Sequence, residues 1–348
     1  MREPSPFESP GQFRLAFERQ LASLLSEFDE LGVYILVLAN ACLDRPLWAN
    51  LSESLKDKFH YLAREIAENH QEGLLLDDAD DDLLVFRHLM ETGFDNLQAT
   101  SFRTVGPWEL QFNQLRSFRP PRMSGGLTEG ISAPFNPDGF HFDKPFLRKE
   151  IFWQGWLAGR DCALLYNKFP FVELHALLVP EPRKGWPQLL SEEDNDYLWR
   201  LTELLDRTLP GVGFGYNSYG AGASVNHLHF QMFLRQDPLP VASDDWQHNG
   251  GDLPYPARCH RFDSPREAWQ MIASLHRQQI TYNLVYLPGV VYCLPRMRHG
   301  LSQPASWSGG FAWYEMAGGF TLFDEGLFNE LEQLQVDEAL TQISIPAV

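Results

Sequence analysis

Apolar side chains recur at helical spacing from residue 1 to about 95. Phe13, Phe17, Leu21, Leu24, Leu25 and Phe28 fall on one helix face. Gly32, Pro46 and Asn50-Leu51-Ser52 punctuate the run, and Ser52-x-x-Leu55 opens a further helix carrying Phe59, Leu62 and Ile66. From about 97 the texture changes to short strands and turns. Leu110–Leu115 alternates, and residues 162–167 and 174–179 read as strand, turn, strand around KFPFVE. Ser191-x-x-Asp194 opens a helix with Tyr197, Leu198, Leu201, Leu204 and Leu205, closed by Pro210-Gly211. Strands are expected at 212–217 and 225–234, a helix at 265–278 and a hairpin at 282–294 turning at Pro288-Gly289. The pattern predicts an α+β fold: a mostly antiparallel sheet with packed helices, behind a helical N-terminal region at 1–96. ALLYNKFPFVELHALLVPEPR and TYNLVYLPGVVYCLPRMRH run alike, which points to a degenerate duplication with units at 97–236 and 237–348.

Composition narrows the function. Apolar residues make up 44% of 348 and charged residues 21%, enough for a packed core. The longest apolar stretch, Leu31 to Leu43 broken by Asn40, is shorter than the roughly 20 residues of a bilayer span. The start, MREPSPFESP, lacks the apolar centre of a secretory signal. Cys42, Cys162, Cys259 and Cys293 are scattered and form no CxxC. The expectation is a reduced, cytoplasmic, enzyme-sized protein. With 28 Lys and Arg against 46 Asp and Glu, the net charge is −18, so nucleic acid and membrane are poor partners. An anionic substrate needs basic groups and backbone N–H groups gathered locally. The acidic run Asp77–Asp82 reads as a solvated loop, since it lacks the spacing and the glycine of a calcium loop.

The informative segment is NSYGAGASVNHLHFQMFL, residues 217–234. On a strand, His227, His229 and Gln231 share one face, while Leu228, Phe230 and Met232 share the other. The small-residue loop before it, with Gly222, Ala223 and Ser224, can bring backbone N–H groups close to an oxyanion. Neutral imidazole is a nucleophile near pH 7, given a reference pKa of roughly 6.5. The set suits attack on phosphorus, with His227 orienting and the Gln231 amide holding a phosphate oxygen. A metal site is the rival reading of His-x-His on a strand. It wants a third ligand, usually Glu or Asp, where Gln231 stands, so no metal is expected.

Asn226-His-Leu-His-Phe-Gln231 resembles the transferase branch of the histidine-triad superfamily. The longer string NSYGAGASVNHLHFQ is most similar to the GDP-L-galactose and GDP-D-glucose phosphorylase family. LQFNQLRSFRP at 110–120 with PFNPDGFHFDK agrees, as do Asn167 through His175-Ala-Leu-Leu-Val-Pro180, Tyr282-Asn-Leu with Leu-Pro295, and Glu315-Met-Ala-Gly-Gly319. The resemblance covers roughly 97–340 and implies a histidine-triad-like fold. It also implies ping-pong transfer, with His229 attacking the α-phosphorus of a nucleoside diphosphate sugar, GDP-hexose favoured, and phosphate as acceptor. No cofactor is implied, and a homodimer is left open. The catalytic set becomes His229, His227 and Gln231. Gly222, Ala223 and Ser224 would bind phosphate oxygens, and Asn217 would help to place the nucleotide. Asn113 and Arg116 would meet base, ribose or phosphate, against the alternative of a surface ion pair. Lys168 is either a phosphate contact or an exposed turn lysine. His175 is either a core histidine or, as the match favours, site-facing. Arg296, Arg298 and His299 read as a solvated loop. Two further readings stay open: a dinucleoside polyphosphate or adenylyl sulfate phosphorylase using the same His229, and a non-catalytic nucleotide-binding protein.

Overall fold

The computed structural model describes residues 5–72, 79–119, 130–301 and 305–345. Four helices come first: α1 Pro10–Glu27, α2 Leu31–Leu43, α3 Arg45–Glu72 and α4 Asp80–Thr92. Ser9 caps α1 by accepting the Gln12 N–H, and Phe13, Phe17, Leu21, Leu24 and Leu25 form its buried face. Helix α2 is buried nearly all round, which is why its sequence is almost wholly apolar. The expected break at Asn50–Ser52 is absent. Leu47, Leu51, Leu55, Phe59 and Leu62 form one continuous buried stripe on α3, and Pro46 sits in the first turn, where no N–H partner is lost. The acidic run also differs from a solvated loop. Its first residues lie outside the described set, and Asp80, Asp81 and Asp82 form the first turn of α4, where carboxylates complement the helix dipole.

Strands β1 (Ser101–Val105) and β2 (Trp108–Phe112) precede the short helix α5 (Gln114–Ser117). Then come β3 (Ile151–Leu157), β4 (Arg160–Tyr166), β5 (Ala176–Pro180), α6 (Glu192–Asp206), β6 (Val212–Asn217) and β7 (Phe230–Leu234). The last part holds β8 (His260–Phe262), α7 (Pro265–Gln278), β9 (Thr281–Leu287), β10 (Val290–Arg296), α8 (Trp313–Met316), β11 (Gly319–Leu322), α9 (Glu325–Glu330) and α10 (Gln333–Ile343). Ser191 and Asp194 close the expected capping box of α6.

Eight strands form one antiparallel sheet in the order β3-β4-β5-β7-β6-β9-β10-β8, and β1-β2-β11 form a second. The large sheet runs across residue 236 without interruption, because β6 pairs with β9. One face carries Leu164, Leu178, Phe214, Met232 and Tyr286 against α6, α7 and the N-terminal helices in a single core. Tyr166 joins them, its hydroxyl donating to the Phe17 carbonyl at 2.6 Å. The other face carries Phe233, Val285, Tyr292 and Leu294 against the second sheet and the C-terminal helices. No helix among the described residues is long and apolar enough to cross a membrane.

Candidate active site

The expected strand over 225–234 begins only at Phe230. Strands β6 and β7 pair from Val212↔Leu234 to Gly215↔Gln231, and two residues further on the same register would set Asn217 opposite His229. The side chain of Gln188 stands there instead. Its Oε1 accepts the His229 N–H at 2.9 Å, and its Nε2 donates to the carbonyls of Asn217 (2.9 Å) and His229 (3.2 Å). The Leu228 N–H goes to the Trp186 carbonyl. His227 and His229 therefore lie on an irregular segment just before the strand, so the period-two rule does not govern them. Leu228, Phe230 and Met232 are buried in the core as expected.

The ring of His229 is held by its Nδ1, which lies 2.8 Å from the His227 carbonyl. A carbonyl only accepts, so Nδ1 carries the proton and Nε2 carries the lone pair. His227 thus orients the second ring through its backbone rather than its imidazole. Its own Nδ1 accepts the Phe142 N–H at 3.1 Å, and its Nε2 lies near the Pro182 carbonyl without closing a hydrogen bond. Burial pushes His229 down to about 4. Burial, then the nearby His229 and His141, do the same to His227. Both rings are neutral at pH 7. The segment at 131–142 covers them. Asn226 Nδ2 donates to the carbonyls of Ala133 and Pro134, and the Phe142 ring stands 4.9 Å from that of His229.

Gln231 is locked by two donors. Its Oε1 lies 3.0 Å from His175 Nε2 and 2.8 Å from Trp313 Nε1. Indole N–H only donates, so the carboxamide oxygen is turned inward and the NH₂ group outward, ready to donate. His175 is fully buried, its Nδ1 accepting the Phe171 N–H, and burial holds it neutral with a pKa of about 3. His175 thus lies in the core and touches Gln231 directly. Trp313 comes from the far end of the chain. Its ring stacks on Phe233 at 5.2 Å and lies flat on Gly215, where a Cβ would fall inside the indole. Asn217 anchors it: Oδ1 accepts the Trp313 N–H (2.8 Å) and an N–H of Asn283 (2.7 Å).

The remaining expected residues divide. Gly222 has φ +101° and packs on Ala312, so the loop with Ala223 and the exposed Ser224 lies against the Trp313 segment. Arg116 donates to the Phe169 carbonyl at 2.8 Å and lies over the Phe171 ring, and its charge bears on His175. Asn113 is a helix cap, its Oδ1 accepting the Arg116 N–H and its Nδ2 donating to Thr100 Oγ1. Lys168 pairs with Asp82 at 2.6 Å, tying the β4–β5 turn to α4. Neither is drawn to the histidines by its contacts. Arg296 is not in a solvated loop: it ends β10, is buried, and donates to the carbonyls of Met297 and Phe311. His299 is likewise half-buried, with burial pushing it down to about 4. Gln188 and Trp313 carry no local signal in the sequence, since a loop glutamine looks solvated and a tryptophan looks like core, and Asn226 stands in the motif with no role assigned to it. Among the described residues, no group of three or more His, Cys, Asp and Glu could hold a metal ion.

Residues 110–233 match the family model described as GDPGP1-like, N-terminal domain. GDP-D-glucose phosphorylase 1 of Danio rerio is 34% identical over 113 residues, 32% of this chain and 32% of that protein. The Homo sapiens protein of that name is 32% identical over 130 residues, 35% of this chain and 32% of that one. GDP-L-galactose phosphorylase 1 of Arabidopsis thaliana is 33% identical over 75 residues, 22% of this chain and 16% of that protein. The chain thus spans about a third of the length of the first of these relatives. Among solved structures, yeast Ap4A phosphorylase Apa2 aligns with 78% of this chain and 96% of its own, at 16% identity and a TM-score of 0.49, too distant to weigh further. The matched segment holds His175, Gln188, Asn217, His227, His229 and Gln231 but stops short of Trp313. Residues 110–233 are thus similar to a GDPGP1-like N-terminal domain, and in sequence to the GDP-hexose phosphorylases.

Proposed function

We propose that the protein is a nucleotidyltransferase that phosphorolyses a nucleoside diphosphate hexose, with GDP-hexose the favoured donor. The observation that carries this is the tautomer of His229: Nδ1–H on the His227 carbonyl leaves an Nε2 lone pair to which nothing among the described residues is hydrogen-bonded. Nε2 attacks the α-phosphorus, and the bond from that phosphorus to the bridging oxygen breaks. Hexose 1-phosphate departs with that oxygen, and the nucleoside monophosphate stays on the ring. Inorganic phosphate then attacks the same phosphorus, the N–P bond breaks, and a nucleoside diphosphate leaves. The His227 carbonyl holds Nδ1–H as positive charge grows on the ring.

The Gln231 NH₂ donates to a non-bridging α-phosphate oxygen, and its orientation needs no reorganisation during the reaction. One such fixed donor contributes about 3 kcal/mol to a transition state. The loop at Gly222, Ala223 and Ser224 takes further phosphate oxygens. Asn217 acts through Trp313, and Arg116 supplies positive charge behind His175. The donor and acceptor named here are those in the names of the similar proteins, joined to a site whose neutral imidazole suits phosphorus.

The test is intact-protein mass after mixing with GDP-, UDP- and ADP-hexoses and diadenosine tetraphosphate, without phosphate and kept neutral or basic. An adduct of one nucleoside monophosphate, lost in His229→Gln and discharged by phosphate, is expected, and its mass names the base. A folded protein that forms no adduct with any donor overturns the reading. A mass belonging to AMP from the dinucleotide alone replaces the hexose donor.

A further inference from the structure

We infer that Gln188 is a positioning residue: it wedges the open ends of β6 and β7 apart and thereby sets where His229 Nε2 stands. The inference rests on the reading of His229 as nucleophile. Gln188 is 1% exposed and follows Trp186-Pro187 in the connection from β5 to α6. A primary amide has one acceptor oxygen and two N–H donors, and here each is used on backbone. Two of the three contacts are to His229 itself, and the third is to Asn217, its would-be partner across the ladder.

The wedge is itself rigid. The Gln188 N–H donates to Asn226 Oδ1 at 3.0 Å, and its carbonyl accepts the Tyr216 hydroxyl at 3.3 Å. Adjacent strands sit about 4.8 Å apart when they bond directly. A carboxamide between Asn217 and His229 forbids that spacing. It keeps the chain from 218 to 228 from zipping into a longer hairpin. The gap separates the histidine segment from the 218–224 loop, which is where an attacked phosphate must enter. A misplacement of about 1 Å at such a site costs on the order of 100-fold in rate.

The experiment measures the rate of adduct formation at saturating donor, quenched in base, for the whole protein and two variants. Gln188→Leu keeps the bulk and removes all three hydrogen bonds. Its rate constant should fall about 30- to 100-fold while the half-saturating donor concentration stays within about threefold. Gln188→Glu adds a readout that a merely structural role would not move. As a neutral acid it accepts from His229 N–H and donates to one carbonyl; as a carboxylate it faces two carbonyl oxygens. Its rate relative to wild type should therefore rise as pH falls from about 8 to about 5. A Leu variant within about twofold of wild type, or a Glu variant with the wild-type pH profile, overturns the inference. Should the Leu variant fail to fold, the Glu profile decides alone. A wild-type protein without any adduct fails the His229 reading and this inference with it; an active wild type with indifferent variants fails the inference only.

Discussion

The large sheet contains two helix–hairpin units that differ in how their hairpins end. One is α6-β6-β7, the other α7-β9-β10, and they meet where β6 pairs antiparallel with β9, Asn217 opposite Asn283. In the second, the turn is tight at Pro288-Gly289, and the ladder runs unbroken from Val290↔Leu287 to Arg296↔Thr281. In the first, the ladder stops at Gly215↔Gln231, and residues 218–229 make the connection. A closed ladder satisfies its own backbone and asks nothing of side chains. An interrupted ladder leaves N–H and C=O groups that must find partners, and the Gln188 side chain and the Trp186 carbonyl provide them. The chemistry-bearing side chains collect where the sheet was left unfinished.

Four changes break or sharpen this contrast, from the largest effect to the smallest. Gly215→Ala puts a methyl into the Trp313 indole. Stability should fall by about 1–3 kcal/mol, read from denaturant melts, and adduct formation by about 100-fold as Gln231 loses its donor. Trp313→Phe keeps an aromatic ring against Phe233 and removes the N–H together with the second ring of the indole. Turnover should fall about tenfold with little change in half-saturation, since the Gln231 amide regains freedom to turn.

The third prediction concerns pH. With His229 near 4 rather than the ordinary 6.5, its ring stays neutral as pH falls, and the rate of adduct formation at pH 5.5 should match that at pH 7.5. An ordinary imidazole would be about nine-tenths protonated there. Stability moves differently. The folded-state pKa values of His175, His227 and His229 lie below the unfolded value, so the unfolded chain takes up protons first. Their contribution is whole above about 6.5 and is lost as pH falls from there, through about 4 for His227 and His229 and about 3 for His175. Thermal melts between pH 7 and pH 5 check it. Last, Gly289→Ala in the closed hairpin meets only its own φ of +72°, with no neighbour within 4 Å. It should cost about 1 kcal/mol and leave adduct formation unchanged.

Local pattern carried much of the fold into the sequence. Strand β6, helix α7 and the Ser191 cap stand where period and capping residues put them. Those features are set by neighbours a few positions away. The misses are set by distant ones. His229 leaves its strand because of a residue 41 positions earlier, and Asp82 joins a helix start that ends on Lys168, 86 positions later. Arg296 reads as surface because its charge does, yet β10 carries it inward to the Phe311 carbonyl. The histidines and Gln231 were legible as chemistry; what aims them was not. A carboxamide in a proline-rich loop and one indole among ten carry no local mark of their task.

The reach of Trp313 also puts the site in time. Gln231 is joined to the growing chain 82 residues before the indole that turns its amide. At roughly 5–20 residues per second, the interval is several seconds of synthesis. For most of it β9 has yet to be made beside β6, and throughout it the Gln231 amide lacks the indole that fixes it. The histidines are made early and their neighbour is aligned late: a nascent chain carries His227, His229 and Gln231 for 82 residues of synthesis before the indole that turns the amide exists.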